Sequence, residues 1–321
     1  MIECCVQTDF SKDMSKMSVA KPPVLFLTFN RPESTAAVFD AIRRFGPDKL
    51  YLAADGGRSG IRGEPEACEA VRKIITAVDW PCEVKTLFRD ENLGCKLAVS
   101  GAIDWFFRHE EEGVILEDDC LPSEEFFDFC AQMLLRYREN DAIWMVTGNN
   151  LQAGRARGTA SYYFSKYTHI WGWATWRRAW ANYSVDMDFW PEMRLRDQWK
   201  NLFDLPPERY HWQRIFDRSY QGKIDTWDYA WMATVWLNDG LTVTPNANLV
   251  RNIGLGCDAT HTTGASKKFD IPLEPLGEIV FCDQVMRDIE ADQFVYNTIF
   301  RESLLSILWR APKIFRKYLL R

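Results

Sequence analysis

The sequence has no long apolar run, few histidines and no paired cysteine motif. Its 321 residues include 4 histidines and 9 cysteines, and no run approaches the roughly 20 apolar residues that a membrane span requires. The cysteines are scattered without a Cys-x-x-Cys pair, so neither a zinc cage nor a disulfide framework is indicated. The N-terminal segment contains acidic residues and no apolar stretch typical of a secretory signal. These absences predict a cytoplasmic protein with reduced cysteines.

An excess of positive charge is also absent. The 39 basic and 45 acidic residues give a net charge of −6, which argues against a protein that binds nucleic acid through its phosphates. A local excess of positive charge is present in residues 301–321, where six Lys and Arg residues accompany a single acid, Glu302. This tail is compatible with peripheral contact at the inner membrane face, and equally with a helix packed on its own domain or a dimer contact.

From Pro22 onward, short β-rich runs alternate with helical ones, a pattern typical of a mostly parallel sheet covered by helices. We predict strands over residues 24–29, 49–54, 83–88, 113–116 and 143–147, and helices over 33–45, 64–78, 95–107 and 123–137. The first four strands should direct their carboxyl ends toward one edge of the sheet. Open α/β sheets bind ligands at that edge.

Three consecutive carboxylates, Glu117, Asp118 and Asp119, follow the fourth predicted strand. Such carboxylates repel one another unless a cation lies among them, and hard oxygen ligands suit Mg²⁺ or Mn²⁺ rather than zinc. The triplet therefore indicates a divalent-ion site that could neutralise a diphosphate. The alternative is an acidic loop in which Ser123 caps the following helix. The position at the end of a parallel strand favours the ligand site.

Polar residues follow the other three strands: Asn30 and Arg31 after the first, Asp55 after the second, and the segment from Asn92 to Lys96 after the third. Since these strand ends converge, Asp55 could accept a hydrogen bond from a base or ribose while Arg31 or Lys96 meets phosphate oxygens. Each also has a local alternative as a turn or a solvated helix residue. The first loop has no Gly-x-Gly-x-x-Gly or Walker lysine motif, so a dinucleotide enzyme and a P-loop NTPase are disfavoured.

In chain order, the segments VLFLTFNRP, AADGG, NLGCKLAV, VILEDD, PSEEFFDF and MVTGNN resemble the GT-A nucleotide-sugar glycosyltransferases. The likeness is to the N-acetylglucosaminyltransferase I type, whose acidic motif is also Glu-Asp-Asp, and to bacterial sugar transferases of uncharacterised specificity. It continues through FSKYTHIWGWATWRRAW and TWDYAW and covers roughly residues 22–258. The resemblance implies a GT-A-like (Rossmann-like) α/β fold, Mn²⁺ or Mg²⁺ as cofactor, and a UDP-linked donor such as UDP-GlcNAc.

Carried onto this chain, the resemblance assigns roles to the residues at the strand ends. It makes Asp119 the direct metal ligand and brings Glu117 and Asp118 against the nucleotide sugar or its bound ion. Asp55 resembles the acidic residue that meets the uracil. Arg31 stands where a basic residue approaches the donor.

The resemblance also makes Asp228 the catalytic base. An inverting transfer requires such a base, a group that accepts the proton of the acceptor hydroxyl. The alternative for Asp228 is the N-cap of a helix over 229–238. Lys96 stands near where a histidine would be expected beside the base, and we retain it as a donor-binding residue. His261, in a predicted lid over 252–264, is a candidate to complete the metal shell; the alternative is a loop histidine with its own hydrogen bonds.

A tryptophan cluster at positions 171, 173, 176 and 180 has two interpretations. Sugar rings stack on indoles, yet spacings of three and four also describe a buried helix face. Trp171 and Trp173, which flank Gly172, are the candidate acceptor contacts. Ten of the fourteen tryptophans lie between Trp171 and Trp236, so the second half of the chain differs in character from the first.

The sequence thus predicts a metal-dependent inverting glycosyltransferase that moves a sugar from a nucleoside diphosphate to a hydroxyl of a glycan or lipid-linked glycan. We expect a disordered leader over 1–21, a nucleotide-sugar-binding half over 22–148, an acceptor-binding half of the same domain over 149–281, and a helical, partly basic amphipathic tail over 282–321. One alternative is a nucleotidyltransferase of the same sheet architecture, disfavoured because a Gly-rich loop with Arg after the first strand is absent. The other is a non-catalytic carbohydrate-binding protein, disfavoured by the intact carboxylate triplet.

Overall fold

Eight strands form the central sheet of the structure, a computed structural model that describes residues 19–254 and 270–301. These strands and a separate two-stranded ribbon comprise β1 (Val24–Thr28), β2 (Lys49–Ala54), β3 (Glu83–Phe88), β4 (Glu112–Glu117), β5 (Cys120–Pro122), β6 (Ile143–Thr147), β7 (Tyr162–Ser165), β8 (Trp173–Trp176), β9 (Leu241–Pro245) and β10 (Val250–Asn252). The predicted leader up to residue 18, the loop that carries His261 and the tail beyond residue 301 lie outside the described residues.

Ten helices accompany the strands in the described part of the chain: α1 (Pro32–Phe45), α2 (Glu64–Ile75), α3 (Gly94–Phe107), α4 (Glu124–Tyr137), α5 (Arg177–Trp180), α6 (Trp190–Met193), α7 (Asp197–Asn201), α8 (Pro206–Tyr220), α9 (Asp228–Leu237) and α10 (Ile289–Val295). A π-helical turn, Tyr296–Phe300, continues α10. Within the described residues, no helix combines the length and the apolar character needed to cross a membrane.

The strand order in the sheet is β3-β2-β1-β4-β8-β6-β9-β7. Strands β1 to β4 pair in parallel, β8 runs antiparallel between β4 and β6, and β9 is parallel to β6. Only β7 and β8 oppose the common direction of the other six. The predicted α/β class, a mostly parallel sheet flanked by helices, is therefore confirmed.

Local sequence signals explain most element boundaries in the first half. All five residues of β1 are buried, as expected of a continuous apolar run in a strand covered on both faces. Helix α1 starts at Pro32, where the missing N–H is harmless, and ends before Gly46, whose φ of +60° favours glycine. The predicted strands over 49–54, 83–88 and 143–147 have the same bounds as β2, β3 and β6.

Strand β8 occupies the middle of the sheet and is fully buried. Because its side chains alternate between the two faces, Trp173 joins the core cluster on one side and Trp176 joins the cluster on the other. Trp173 is 0% exposed and stacks on Trp227 at 5.5 Å between ring centroids. The prediction that Trp173 contacts an acceptor is therefore wrong, since a sugar cannot reach it.

The helix predicted from residue 282 begins only at Ile289. The residues before it run along β7 instead: the Cys282 N–H donates to the Tyr162 hydroxyl at 3.1 Å, and the Asp288 N–H donates to the Phe164 carbonyl at 2.8 Å. β7 is the last strand in the sheet order, and these contacts along it satisfy backbone groups that a helix would otherwise satisfy.

Candidate functional site

A cleft of about 850 Å³ lies at the carboxyl ends of β1, β2 and β4. The other wall is formed by side chains from the end of α8, the connection that follows it and the start of α9, between residues 215 and 229. Seven of the predicted site residues line the cleft: Arg31, Asp55, Glu117, Asp118, Asp119, Trp171 and Asp228. The expectation that the strand-end residues Arg31, Asp55 and the acidic triplet converge at one sheet edge is confirmed.

The acidic triplet meets the loop after β1, because β1 and β4 are adjacent parallel strands. The Phe29 N–H donates to Asp118 Oδ2 at 3.0 Å. Arg31 Nη1 lies 2.8 Å from Asp119 Oδ2 and 3.6 Å from Asp118 Oδ1. One guanidinium therefore partly neutralises two of the three carboxylates.

The triplet is an environment of concentrated negative charge. Burial, and then the Asp119 charge, raises the pKa of Asp118 to about 7, although Arg31 acts in the opposite direction. The pKa of Glu117 is raised well above its ordinary value, first by burial and then by Asp119, Asp118 and Asp228. Like charges in a desolvated space behave in this way, and a further cation would relieve the repulsion. Asp228 belongs to the same electrostatic environment as the triplet.

The donor set suits a hard divalent cation shared with a phosphate ligand. Within residues 19–254 and 270–301, no three His, Cys, Asp or Glu side chains form a complete metal cage. Mg²⁺ in nucleotide sites is commonly held by one or two carboxylates, and phosphate oxygens complete its coordination. Asp119 and Asp118 supply such oxygens, so they fit Mg²⁺ or Mn²⁺. His261 lies outside the described residues, but the chain that leads to it passes the site, since the Ile253 N–H donates to the Asp119 carbonyl at 2.8 Å.

Asp55 is fixed by the loop after β3. Asn92 Nδ2 donates to Asp55 Oδ2 at 3.0 Å, and the Leu93 N–H lies 3.1 Å from both carboxylate oxygens. These bonds hold an 8% exposed carboxylate at the cleft wall. The predicted convergence of the second and third strand ends is therefore present in the structure.

Lys96 does not line the cleft. Its Nζ lies 3.5 Å from Asp186 Oδ1. The first turn of α3 presents Gly94 and Cys95 to the cleft instead. The structure thus does not bring Lys96 to the donor side, because its position on the helix directs the side chain elsewhere.

Arg58 is a cleft-lining cation that the sequence reasoning missed. Its Nε lies 3.0 Å from Glu64 Oε2, and its guanidinium lies 5.6 Å from the centroid of the Phe29 ring. Glu64 also accepts a hydrogen bond from Asn30 Nδ2 at 2.8 Å. The Arg58 hydrogen bonds lower the pKa of Glu64 to about 2. A signal was available, since Arg58 directly follows the Asp-Gly-Gly turn and Glu64 opens the next helix.

Asp228 is the first residue of α9, and Trp227, 1% exposed, is the N-cap. The buried stacking of Trp227 on Trp173 anchors this helix start. The Thr226 hydroxyl donates to Asp228 Oδ1. The Asp228 carboxylate thus lies at the cleft wall on a fixed backbone. The alternative that Asp228 is the N-cap of the helix is wrong, because Trp227 occupies that position.

Comparisons with known proteins assign neither a family nor a function to the chain. No protein-family model matches the chain, and no curated protein matches it. Among solved structures, UDP-glucose pyrophosphorylase complexed with UDP-glucose matches with 12% identity and a TM-score of 0.23, over 44% of this chain and 62% of that one. The chain thus spans less than two thirds of the length of that protein, and a superposition of this quality establishes no shared function. The resemblance to GT-A transferases stays a prediction.

Proposed function

We propose that the protein is a metal-dependent inverting glycosyltransferase that uses a nucleoside diphosphate sugar, UDP-linked, as donor. One observation carries the proposal: Asp118, Asp119 and Asp228 line one cleft at the carboxyl edge of parallel strands. Two of these carboxylates suit a cation beside a diphosphate, and the third, on the facing wall, suits a base. The proposed acceptor is a glycan hydroxyl.

In the proposed reaction, Asp228 accepts the proton of the acceptor hydroxyl. The oxygen forms a bond to the anomeric carbon as the bond from that carbon to the diphosphate oxygen breaks on the opposite face. A divalent ion, when bound by Asp119 and Asp118, supplies charge neutralisation at the departing diphosphate. Arg31 adds a fixed positive charge on the same side. Asp55 and Asn92 form the wall against which the nucleoside would lie.

The test combines ligand binding with turnover. Melting temperatures are measured with UDP, GDP, CDP and dTDP, with and without Mn²⁺, because a ligand that binds the folded state raises the melting temperature. UDP release from UDP-GlcNAc and other UDP-sugars is then followed in the presence of oligosaccharides. We expect a Mn²⁺-dependent stabilisation by UDP and acceptor-dependent UDP release. Absence of any stabilisation by a nucleotide would sink the proposal.

Three variants separate the roles. Asp119→Asn is expected to lose both the Mn²⁺-dependent stabilisation and turnover. Asp228→Asn is expected to retain UDP binding while turnover falls by about 10²- to 10⁴-fold, the typical contribution of a general base. Asp186→Asn, which removes an exposed carboxylate outside the cleft, is the control and should match the wild type. An Asp228→Asn variant with a near-wild-type rate would contradict the base assignment.

One added assay, with UTP and a sugar 1-phosphate as substrates, helps to separate the two other candidate functions. A nucleotidyltransferase would form the UDP-sugar and release pyrophosphate from UTP. A carbohydrate-binding protein would bind UDP with Mn²⁺ and glycans without releasing UDP. We expect neither result.

A further inference from the structure

Two cations on the wall opposite the sheet edge have no acidic partner among the residues that the structure describes. Arg218, near the end of α8, and Lys223, in the connection to α9, both line the cleft and are exposed. Within residues 19–254 and 270–301, no carboxylate oxygen lies within 4.0 Å of either. Lys223 Nζ donates to the neutral amide of Gln221 at 2.7 Å.

The other two cations of the cleft are already paired. Arg31 lies 2.8 Å from Asp119, and Arg58 bonds to Glu64. The unpaired positive charge of the cleft is therefore concentrated on the α8–α9 wall. An anion that enters the cleft would find its free donors on that wall.

Arg218 lies on the side of the proposed base. Burial, and then the adjacent Asp228 charge, raises the pKa of the Tyr229 hydroxyl to about 12, and the Arg218 charge opposes this rise. Arg218 is thus close enough to act on Tyr229, the residue that follows Asp228. Arg218 and Asp228 both line the cleft on the side of α8 and α9, so a group held by Arg218 would share that wall with the proposed base, whereas Arg31 and the triplet lie on the sheet side.

We propose that the acceptor carries an oxyanion, a phosphate or a carboxylate, which Arg218 and Lys223 bind while its hydroxyl faces Asp228. The inference rests on the proposed glycosyl transfer. It adds an acceptor class, acidic or phosphorylated sugars, and assigns Arg218 and Lys223 as residues that determine specificity. Trp171 and Ile215 supply apolar surface in the same cleft.

The test begins with binding, which does not depend on turnover. Protein held with Mn²⁺ and UDP is titrated by calorimetry with methyl β-glucoside against methyl β-glucuronide, and with N-acetylglucosamine against its 1-phosphate. We expect the charged member of each pair to bind more tightly than the neutral one. In Arg218→Ala, the affinity for the charged sugar should fall about tenfold, the loss expected for one charge-assisted hydrogen bond. The glucuronide and the phosphate distinguish the two sources of the oxyanion. Equal binding of charged and neutral sugars overturns the inference.

Arg209→Ala is the matched control. Nine residues earlier on α8, it lies about 180° around the helix at 100° per residue, and it does not line the cleft. It removes the same charge and should leave binding unchanged. Arg218→Lys should restore part of the affinity, since it keeps the charge without the planar fork.

Turnover then separates this inference from the proposed function. With UDP-GlcNAc as donor, Arg218→Ala should raise the KM for a charged acceptor and leave the donor KM unchanged. A raised donor KM would show that the cations bind the donor diphosphate, which overturns the inference and leaves glycosyl transfer intact. Oxyanion binding that depends on Arg218, with no UDP release from any donor, would refute the transferase function and retain the anion site.

Discussion

Arg31 and Asp119 are 88 positions apart in the chain, yet the guanidinium and the carboxylate meet at 2.8 Å across the ends of β1 and β4. The pairing gives Asp119 a positive partner at the position where a divalent ion is proposed. It also places a fixed cation beside Asp118, whose pKa burial and Asp119 raise to about 7. Arg31 therefore offsets the repulsion of the triplet when no metal is bound.

Replacement of Arg31 by Met should expose that repulsion. Loss of a charge-assisted hydrogen bond costs about 1.5–3 kcal/mol, so we expect the melting temperature to fall by about 3 to 6 °C at the lower end of that range. Mn²⁺ should stabilise Arg31→Met more than the wild type, because the ion replaces the lost positive charge. Differential scanning fluorimetry with and without Mn²⁺ measures both effects. Arg43→Met, which removes an exposed pair with Asp79, should change neither; an equal Mn²⁺ response in Arg31→Met and wild type would refute the interpretation.

Gly254 fixes the other side of Asp119. A Cβ added at Gly254 would lie 2.5 Å from Asp119 Oδ2 and 2.7 Å from Asp119 Cβ. Gly254→Ala should therefore displace the carboxylate from Arg31, lower the melting temperature of the free protein about as much as Arg31→Met does, and weaken Mn²⁺-dependent UDP binding. In the control Gly101→Ala, the added Cβ meets only the end of the Arg89 side chain at 3.2 Å. Wild-type UDP affinity in Gly254→Ala would mean that Asp119 is not the ligand.

The sheet and the acidic edge were predictable because their signals are local. The runs that form β1, β2 and β4 are short, apolar and followed by polar residues, and consecutive parallel strands necessarily bring those residues to one edge. Arg31, Asp55 and the triplet could therefore be assigned to one cleft without coordinates.

The predictions that were wrong, and the residue that was missed, depended on side-chain orientation and on long-range packing. Lys96 lies in the first turn of α3, and the rotation of that helix about its axis, which the sequence did not fix, directs its side chain toward Asp186. Trp171 and Trp173 flank the same glycine, Gly172, but only Trp173 belongs to the antiparallel strand β8, which lies between β4 and β6. Arg218 belongs to no recognisable sequence motif, and it can be assigned to the cleft only from the packing of α8 in the structure.

Trp171 and Trp173 should therefore respond differently to replacement. Trp173→Ala removes a side chain that is 0% exposed, and we expect a loss of about 3–5 kcal/mol in the free energy of unfolding. Trp171→Ala changes a cleft-lining side chain. It should lower turnover, with a smaller loss in the free energy of unfolding than Trp173→Ala causes. Urea unfolding and UDP release measure the two effects. A larger stability loss in Trp171→Ala than in Trp173→Ala would contradict the assignment of Trp173 to the core.

The Arg58–Glu64 pair predicts how stability depends on acid pH. The ordinary pKa of Glu64 is 4.5, and hydrogen bonds from Arg58 lower it to about 2 in the folded protein. Because the folded state then binds fewer protons than the unfolded state between these values, the stabilisation is complete above 4.5 and is lost as the pH falls through about 2. Glu64→Gln cannot titrate, so the stability difference from the wild type should be largest near neutral pH and narrow steadily below about pH 4.5.

Urea unfolding of the wild type and Glu64→Gln, repeated at intervals from neutral pH to about pH 2.5, measures this difference. The difference in stability between Arg58→Met and the wild type should also become smaller as the pH falls below about 4.5, because this variant lacks the hydrogen bonds that lower the pKa of Glu64. Glu69→Gln, which changes an exposed carboxylate on the same helix, serves as the control and should follow the wild-type curve. A Glu64→Gln gap that stays constant down to about pH 2.5 would mean that Arg58 does not hold Glu64 in its charged form.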